Sequence, residues 1–226
     1  MGSGVLFSPA LVVSALVTLA VLCYTYIYLP KQMRRAYSQS LVTLARAVET
    51  KDVGSVGHGE RVAEYAVAVA DEMLLPKGER TKIEYATYLQ DIGNARVPHS
   101  ILNKAGDLTD EEFEVIRTHV SIGAEVVENV KFLHDISPII RHHHEAWDGS
   151  GYPEGLSGDK IPLGARIIAV CTAYDAMVHE RPFREAKDED EAIREIRAGA
   201  GKSYDPAVVD AFLQVLKNKH RGKAEA

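Results

Sequence analysis

Histidine and aspartate side chains that could bind a divalent metal are spread through most of the chain. The set comprises His58, Asp91, His119, His143 and His144. Neutral imidazole and carboxylate are ligands of divalent Zn, Fe, Mn and Ni, so the set predicts a metal site. Adjacent histidines on a regular helix diverge by roughly 100°. His143 and His144 could therefore share a site only at a helix end, or on different sides of a metal centre.

Helical periodicity dominates the segments that must position these residues. Apolar residues recur on one side of 61–73, and 166–178 is an apolar run of helical length. Thr109 with Glu112 forms a capping box, and Asp205-Pro206 supplies an N-cap followed by proline at the first helical position. Alternating strand patterns are absent. The sequence therefore predicts an all-α domain.

The N-terminal segment, residues 1–30, carries no charged side chain, and 5–29 is largely apolar. About 20 such residues cross a bilayer core of about 30 Å. A cleaved signal peptide is the alternative, but no basic residue precedes the apolar run, which favours an uncleaved anchor. Lys31, Arg34 and Arg35 follow it, which predicts an outward N-terminus and residues 31–226 in the cytosol.

An apolar stripe follows the anchor at spacings of four and three. It comprises Met33, Tyr37, Leu41, Leu44 and Val48. The stripe predicts a helix that packs against its own domain, because it is too short for the several heptads of a coiled coil. The predicted organisation is a transmembrane anchor at 1–30, a juxtamembrane linker helix at 31–40, one domain at 41–220 and a disordered tail at 221–226. The oligomeric state is left open, with a homodimer among the alternatives.

Charge and cysteine content narrow the functional classes. The net charge of −6 falls wholly on the part after residue 30, so a broad basic face for nucleic acid is not expected. Cys23 and Cys171 each lie in an apolar run. Two such cysteines build no disulfide framework and agree with a reducing compartment.

An ordered series of motifs resembles the HD-GYP family, cytoplasmic all-α metallohydrolases that open cyclic-di-GMP. The likeness runs from about Leu41 to about Leu216. The motifs are HGERV at 58–62, QDIG at 90–93, His119 with IGA at 122–124, HHEAWDGSGYPEGLSGDKIPLGARI at 143–167, RPFR at 181–184 and YDP at 204–206. A single GYP tripeptide would mean little, whereas this order is specific. The resemblance implies an HD-domain helical bundle.

The resemblance also implies two metal sites that share Asp91. The first site would use His58, Asp91 and positions 90 and 172; the second would use Asp91, His119, His143 and His144. Gln90 stands where the family has histidine, and Thr172 where it has aspartate. Both are neutral, weak donors. We therefore expect one divalent ion per chain, Fe, Mn, Zn or Ni, in the second site, with Asp91 as the catalytic carboxylate.

Substrate contacts follow from the same resemblance. Arg181 and Arg184 would lie near the substrate phosphates, for which a guanidinium fork is suited. Asn94 replaces a lysine that the family places near the phosphate. Gly151, Tyr152 and Pro153 would form an exposed loop that shapes the site entrance and docks partner signalling domains of the diguanylate-cyclase type.

These features predict a single-pass protein of the bacterial inner membrane, in contact with lipid through its N-terminal helix, that takes part in cyclic-di-GMP signalling. Its hydrolysis is expected to be weak or absent, because the first metal site is degraded. Two alternatives stay open: a catalytically inactive module that binds the cyclic dinucleotide or docks a partner, and a hydrolase of another phosphoester.

Overall fold

The computed structural model describes residues 8–52, 57–180 and 185–224, and no strand occurs among them. The helices in these ranges are α1 (Pro9–Cys23), α2 (Leu29–Glu49), α3 (His58–Glu72), α4 (Lys77–Leu89), α5 (His99–Leu102), α6 (Asp110–Glu128), α7 (Ser137–Arg141), α8 (Leu163–Val178), α9 (Glu189–Ala198) and α10 (Pro206–Ala224). A π-helical turn at Tyr24–Tyr28 joins α1 to α2, and short 3₁₀ turns occur at Ile92–Arg96, His134–Ile136 and Gly158–Lys160. The prediction of an all-α domain is confirmed.

The chain divides into two units, Met1–Leu41 and Val42–Ala226. Within the described residues, one helical stretch, Pro9–Glu49, has the length and apolar composition that crossing a membrane requires. Its apolar side chains are exposed, as at Leu16 and Val17. The membrane span itself stays a prediction.

The apolar stripe of α2 is not covered in the way that its periodicity predicts. Leu44 is 57% exposed, whereas Ala45 is only 5% exposed. Leu41 and Val48 are half-buried. The face that packs is therefore turned by one residue, about 100°, toward the small Ala45 side chain. The expectation that the whole stripe packs on its own domain is wrong at Leu44.

The core of the second unit lies where α3, α8 and α10 meet. Three aromatic rings contact one another there: Tyr65 and Tyr174 lie 5.4 Å apart between centroids, and Phe212 lies 5.8 Å and 5.0 Å from them. Most residues of helix α8 are buried, and Ile167 and Cys171 are fully so. Because α8 packs against α3, α4, α7, α9 and α10, it is the central element. The helices predicted at 61–73 and 166–178 are confirmed.

Local capping fixes where two of these helices begin. At α6 the Thr109 hydroxyl accepts the Glu112 N–H at 3.3 Å, and the Glu112 carboxylate accepts the Thr109 N–H at 2.9 Å. At α10 the Asp205 carboxylate accepts the Ala207 N–H at 2.9 Å and the Arg166 guanidinium at 2.6 Å. Both predicted helix starts are confirmed.

The aromatic contact in the core predicts a large loss of stability when it is removed. Phe212→Ala should lower the free energy of unfolding by about 3–5 kcal/mol, because it deletes a buried ring and leaves a cavity. The matched control is Phe113→Ala, whose ring is 40% exposed and which should cost less than about 1 kcal/mol. Urea titration followed by circular dichroism measures both. Similar losses for the two variants would contradict this assignment of the core.

Candidate metal centre

Three histidines converge although they come from two parts of the chain. His119 lies on α6, and His143 and His144 follow directly after the end of α7. One ring nitrogen from each of the three lies within 4.8 Å of the others. The adjacent pair thus meets His119 at a helix end, one of the two placements expected from helical geometry.

Backbone carbonyl groups determine which ring nitrogen carries the hydrogen in His119 and His143. Nδ1 of His119 lies 2.7 Å from the carbonyl oxygen of Ile116, and Nδ1 of His143 lies 2.7 Å from that of Ile140. A carbonyl oxygen only accepts, so each Nδ1 carries the hydrogen and each Nε2 keeps its lone pair. Burial lowers the pKa of His143 to about 3 and that of His144 well below its ordinary value. Both rings are therefore neutral at physiological pH.

Nε2 of His119 is buried and has no hydrogen-bond partner among the described residues. An imidazole nitrogen held in this way, with its other nitrogen fixed by a carbonyl, has the arrangement of a metal ligand. With the two neighbouring imidazoles it forms a donor set that fits a divalent transition metal.

Asp91 lies next to this group, and its role as a metal ligand stays a prediction. Its Oδ1 lies 3.7 Å from Nε2 of His119 and accepts a hydrogen bond from the Asn94 amide at 3.3 Å. The turn that follows Asp91 packs directly on α6, because a Cβ on Gly93 would lie 2.0 Å from the His119 carbonyl oxygen. Only glycine allows this close approach, which brings Asp91 next to His119.

His58 lies at the first residue of α3 and is held by a different carboxylate. Its Nδ1 donates to Asp175 Oδ2 at 2.6 Å, and Arg61 donates to both oxygens of Asp175 at 2.8 and 3.0 Å. Burial alone would raise the pKa of Asp175, but these hydrogen bonds from His58 and Arg61 bring it down to about 2. His58 is not a member of the imidazole group around His119, and its role as a metal ligand stays a prediction.

The two positions where the resemblance places further ligands contact each other instead. Gln90 caps the C-terminal end of α4 and is 1% exposed. The Thr172 hydroxyl donates to Gln90 Oε1 at 3.3 Å, and Gln90 Nε2 has no partner among the described residues. The amide oxygen is thus engaged by a hydroxyl, and the remaining amide group is a donor. This pair does not fit a second divalent ion.

The loop that contains Gly151, Tyr152 and Pro153 packs against the histidine group. The Tyr152 ring stacks on His144 with centroids 4.8 Å apart and an interplanar angle of 18°. A Cβ on Gly151 would lie 2.2 Å from the backbone nitrogen of Ala146, so the loop lies directly on that backbone. The loop and His144 therefore share one packing arrangement.

A buried carboxylate that sequence reasoning missed holds this loop in place. Glu145 accepts the backbone N–H groups of Glu154 at 2.8 Å and Leu156 at 3.1 Å. Its position directly after two candidate ligands was the available signal. Because its partners are backbone groups nine and eleven residues away, the residue types gave no indication of the contact.

A cleft of about 320 Å³ opens beside the imidazoles. Its polar lining includes His143, His144, Thr172 and Ser203. The two predicted phosphate-binding residues, Arg181 and Arg184, lie outside the described residues, so their role stays a prediction.

Comparison with known proteins gives consistent matches. The sequence profile of the HD domain family matches residues 42–208. A cyclic di-GMP phosphodiesterase of Thermotoga maritima is 42% identical over 171 residues, which cover 75% of this chain and 46% of that protein. The cyclic di-GMP phosphodiesterase response regulator RpfG of Xanthomonas campestris pv. campestris is 40% identical over 178 residues, with coverages of 78% and 47%. The chain thus spans about half the length of these relatives.

A solved structure has the same fold. The cyclic GMP-AMP-specific phosphodiesterase V-cGAP3 of Vibrio cholerae superposes with a TM-score of 0.62 at 20% sequence identity. The matched part covers 80% of this chain and 49% of that one. At this identity the likeness concerns the arrangement of helices alone.

The close contact of Gly151 with the backbone at residues 144–146 predicts that a larger side chain there weakens metal binding. Gly151→Ala should weaken Mn²⁺ binding at least about tenfold, because the added methyl group displaces Tyr152 and with it His144. Gly106→Ala is the matched control, since a Cβ there meets nothing within 4 Å. Isothermal titration of metal-free protein measures both. Unchanged affinity in Gly151→Ala would show that the loop does not position His144.

Proposed function

The chain belongs to the HD-GYP family of HD-domain proteins, and we propose that it is a membrane-anchored cyclic-di-GMP signalling protein whose hydrolysis is weak or absent. One observation carries the proposal. A complete donor set of three imidazoles stands beside a second position where Gln90 and Thr172 bond to each other. The names of the T. maritima and X. campestris relatives support cyclic di-GMP as the ligand.

The retained centre would hold one ion of Fe, Mn, Zn or Ni through four side chains. These are Asp91, His119, His143 and His144. When bound, such an ion polarises a phosphate oxygen and lowers the pKa of a coordinated water. The protein contributes neutral, buried imidazoles and a carboxylate that is oriented by the Asn94 amide.

The missing metal ligands of the first site would make hydrolysis weak. The first site would need an imidazole at 90 and a carboxylate at 172, and Gln90 and Thr172 supply neither. Asn94 in addition provides no positive charge for a substrate phosphate. Since removing one preorganised stabilising group typically lowers a rate by about 10²–10³, the combined losses leave little turnover.

Two alternatives keep specific support. A catalytically inactive module that binds cyclic di-GMP, or docks a partner of the diguanylate-cyclase type, is favoured by the exposure of Pro153, Glu154 and Gly155 at the loop tip. A hydrolase of another phosphoester is favoured by Asn94 and His99, which stand where the family has lysine and favours aspartate.

The metal content separates the proposal from an intact two-metal enzyme. The purified full chain should bind one divalent ion by elemental analysis and should hydrolyse cyclic di-GMP slowly or not at all. The double reversion Gln90→His with Thr172→Asp should bind two ions and turn over at least about 100-fold faster. Product formation is followed by chromatography.

The single reversions are the matched controls. Gln90→His and Thr172→Asp each restore only one donor, so each should fall short of the double reversion. Two tightly bound ions in the parent protein, or equal turnover in parent and double reversion, would refute the degraded first site. Binding of cyclic di-GMP without hydrolysis in every variant would favour the inactive module.

The membrane anchor has its own test. The apolar N-terminal helix and the basic residues after it predict a single-pass protein with residues 31–226 in the cytoplasm. The full chain expressed in bacteria should stay in the inner-membrane fraction after alkaline carbonate washing. A cysteine label at residue 218 should be reached only after the membrane is permeabilised. Release by carbonate would contradict the span, and labelling of intact cells would contradict the orientation.

A further inference from the structure

Glu49, at the C-terminal end of α2, holds the backbone on both sides of His58. Its Oε1 accepts the N–H of Gly59 at 2.9 Å, and its Oε2 accepts the N–H of Gly57 at 3.2 Å. Gly57 is the N-cap of α3 and has no side chain to accept these N–H groups. The Glu49 carboxylate therefore caps the helix from outside, where a negative charge is favourable.

The fit between Glu49 and the start of α3 is close. A Cβ on Gly59 would lie 2.4 Å from Glu49 Oε1. The carboxylate thus occupies the space that a side chain at 59 would need. With Asp175 bonded to Nδ1 of His58, both the backbone and the ring of this histidine are held.

Lys51 holds the 3₁₀ turn that follows Asp91. Its ammonium group donates to the carbonyl oxygens of Asn94 at 3.2 Å, Ala95 at 2.9 Å and Val97 at 2.5 Å. These carbonyls belong to the 3₁₀ turn that follows Asp91 and to its C-cap. An ammonium has three donors, and here all three are used on one turn. A turn fixed in this way also fixes the start of the segment, where Asp91 lies.

Glu49 and Lys51 are two residues apart, but the two segments that they contact are far from each other in the sequence. The partners of Glu49 lie eight and ten residues away, and those of Lys51 lie 43 to 46 residues away. These are tertiary contacts from a single point at the end of α2. A displacement of that point would act on both segments at once.

We propose that Glu49 and Lys51, at the end of α2, are positioning residues, Glu49 for His58 and Lys51 for Asp91. The inference rests on the proposed function only in taking Asp91 as a residue of the retained centre and His58 as a residue of the degraded first site.

Amide hydrogen exchange of the metal-free full chain tests the positioning itself. Lys51→Met should accelerate exchange in residues 92–97 at least about tenfold, with a much smaller effect at 57–62. Glu49→Gln should show the reverse pattern. Arg46→Met is the matched control, because Arg46 also links α2 to α3, through Glu60, but bonds to no backbone group of either segment. It should leave both segments unchanged.

Metal affinity tests the consequence for the centre. Lys51→Met should weaken Mn²⁺ binding at least about tenfold, and Lys51→Arg should restore it to within about threefold of the parent. Glu49→Gln should leave Mn²⁺ binding nearly unchanged in the parent. In the Gln90→His, Thr172→Asp background, where His58 has a metal to bind, it should reduce occupancy of the second ion. If Lys51→Met does not fold, Lys51→Gln is measured against the same criterion.

The outcomes are distinct from those of the proposed function. Parent-like exchange in both segments, or parent-like Mn²⁺ affinity in Lys51→Met, would overturn the positioning role. A parent protein that binds Mn²⁺ but not cyclic di-GMP would refute the proposed ligand and leave the positioning role intact. Uniform acceleration of exchange across all helices would show general destabilisation and would also overturn it.

Discussion

A buried imidazole N–H group needs an acceptor, and this constraint organises the centre. His119 and His143 both satisfy it by donating Nδ1–H to a carbonyl three residues earlier in the chain. That bond turns each Nε2 toward the neighbouring helix. The convergence of the two nitrogens thus follows from backbone geometry on α6 and α7.

Thr172 and Gln90, at the two positions where the resemblance places metal ligands, form a hydrogen bond with each other. Two anionic or basic donors left facing each other in a buried site would need a cation between them. A hydroxyl and an amide satisfy each other in part and need no cation between them. The retained imidazoles are unaffected, since their hydrogen bonds go to other groups. The proposed loss of one metal site is therefore compatible with the proposed retention of the other in one fold.

The sequence predicted features that depend on neighbours in the chain. The Thr109 capping box was found because its partner lies three residues away. Periodicity was less informative at Leu44, since it shows which residues share a face but not what covers that face. Glu145, Glu49 and Lys51 were missed because their partners are backbone groups, which have the same chemistry at every residue. The histidine group was predicted through the order of motifs, whereas its spacing alone was weak evidence.

The carboxylate of Asp175 has a consequence for how this domain could change over evolutionary time. Its oxygens are engaged by His58 and Arg61, and none of these bonds involves position 90 or 172. The ring of His58 is thus anchored by protein groups alone. Substitutions at positions 90 and 172 therefore leave the contacts that hold His58 to α8 in place. Such substitutions can accumulate over time without releasing the His58 ring.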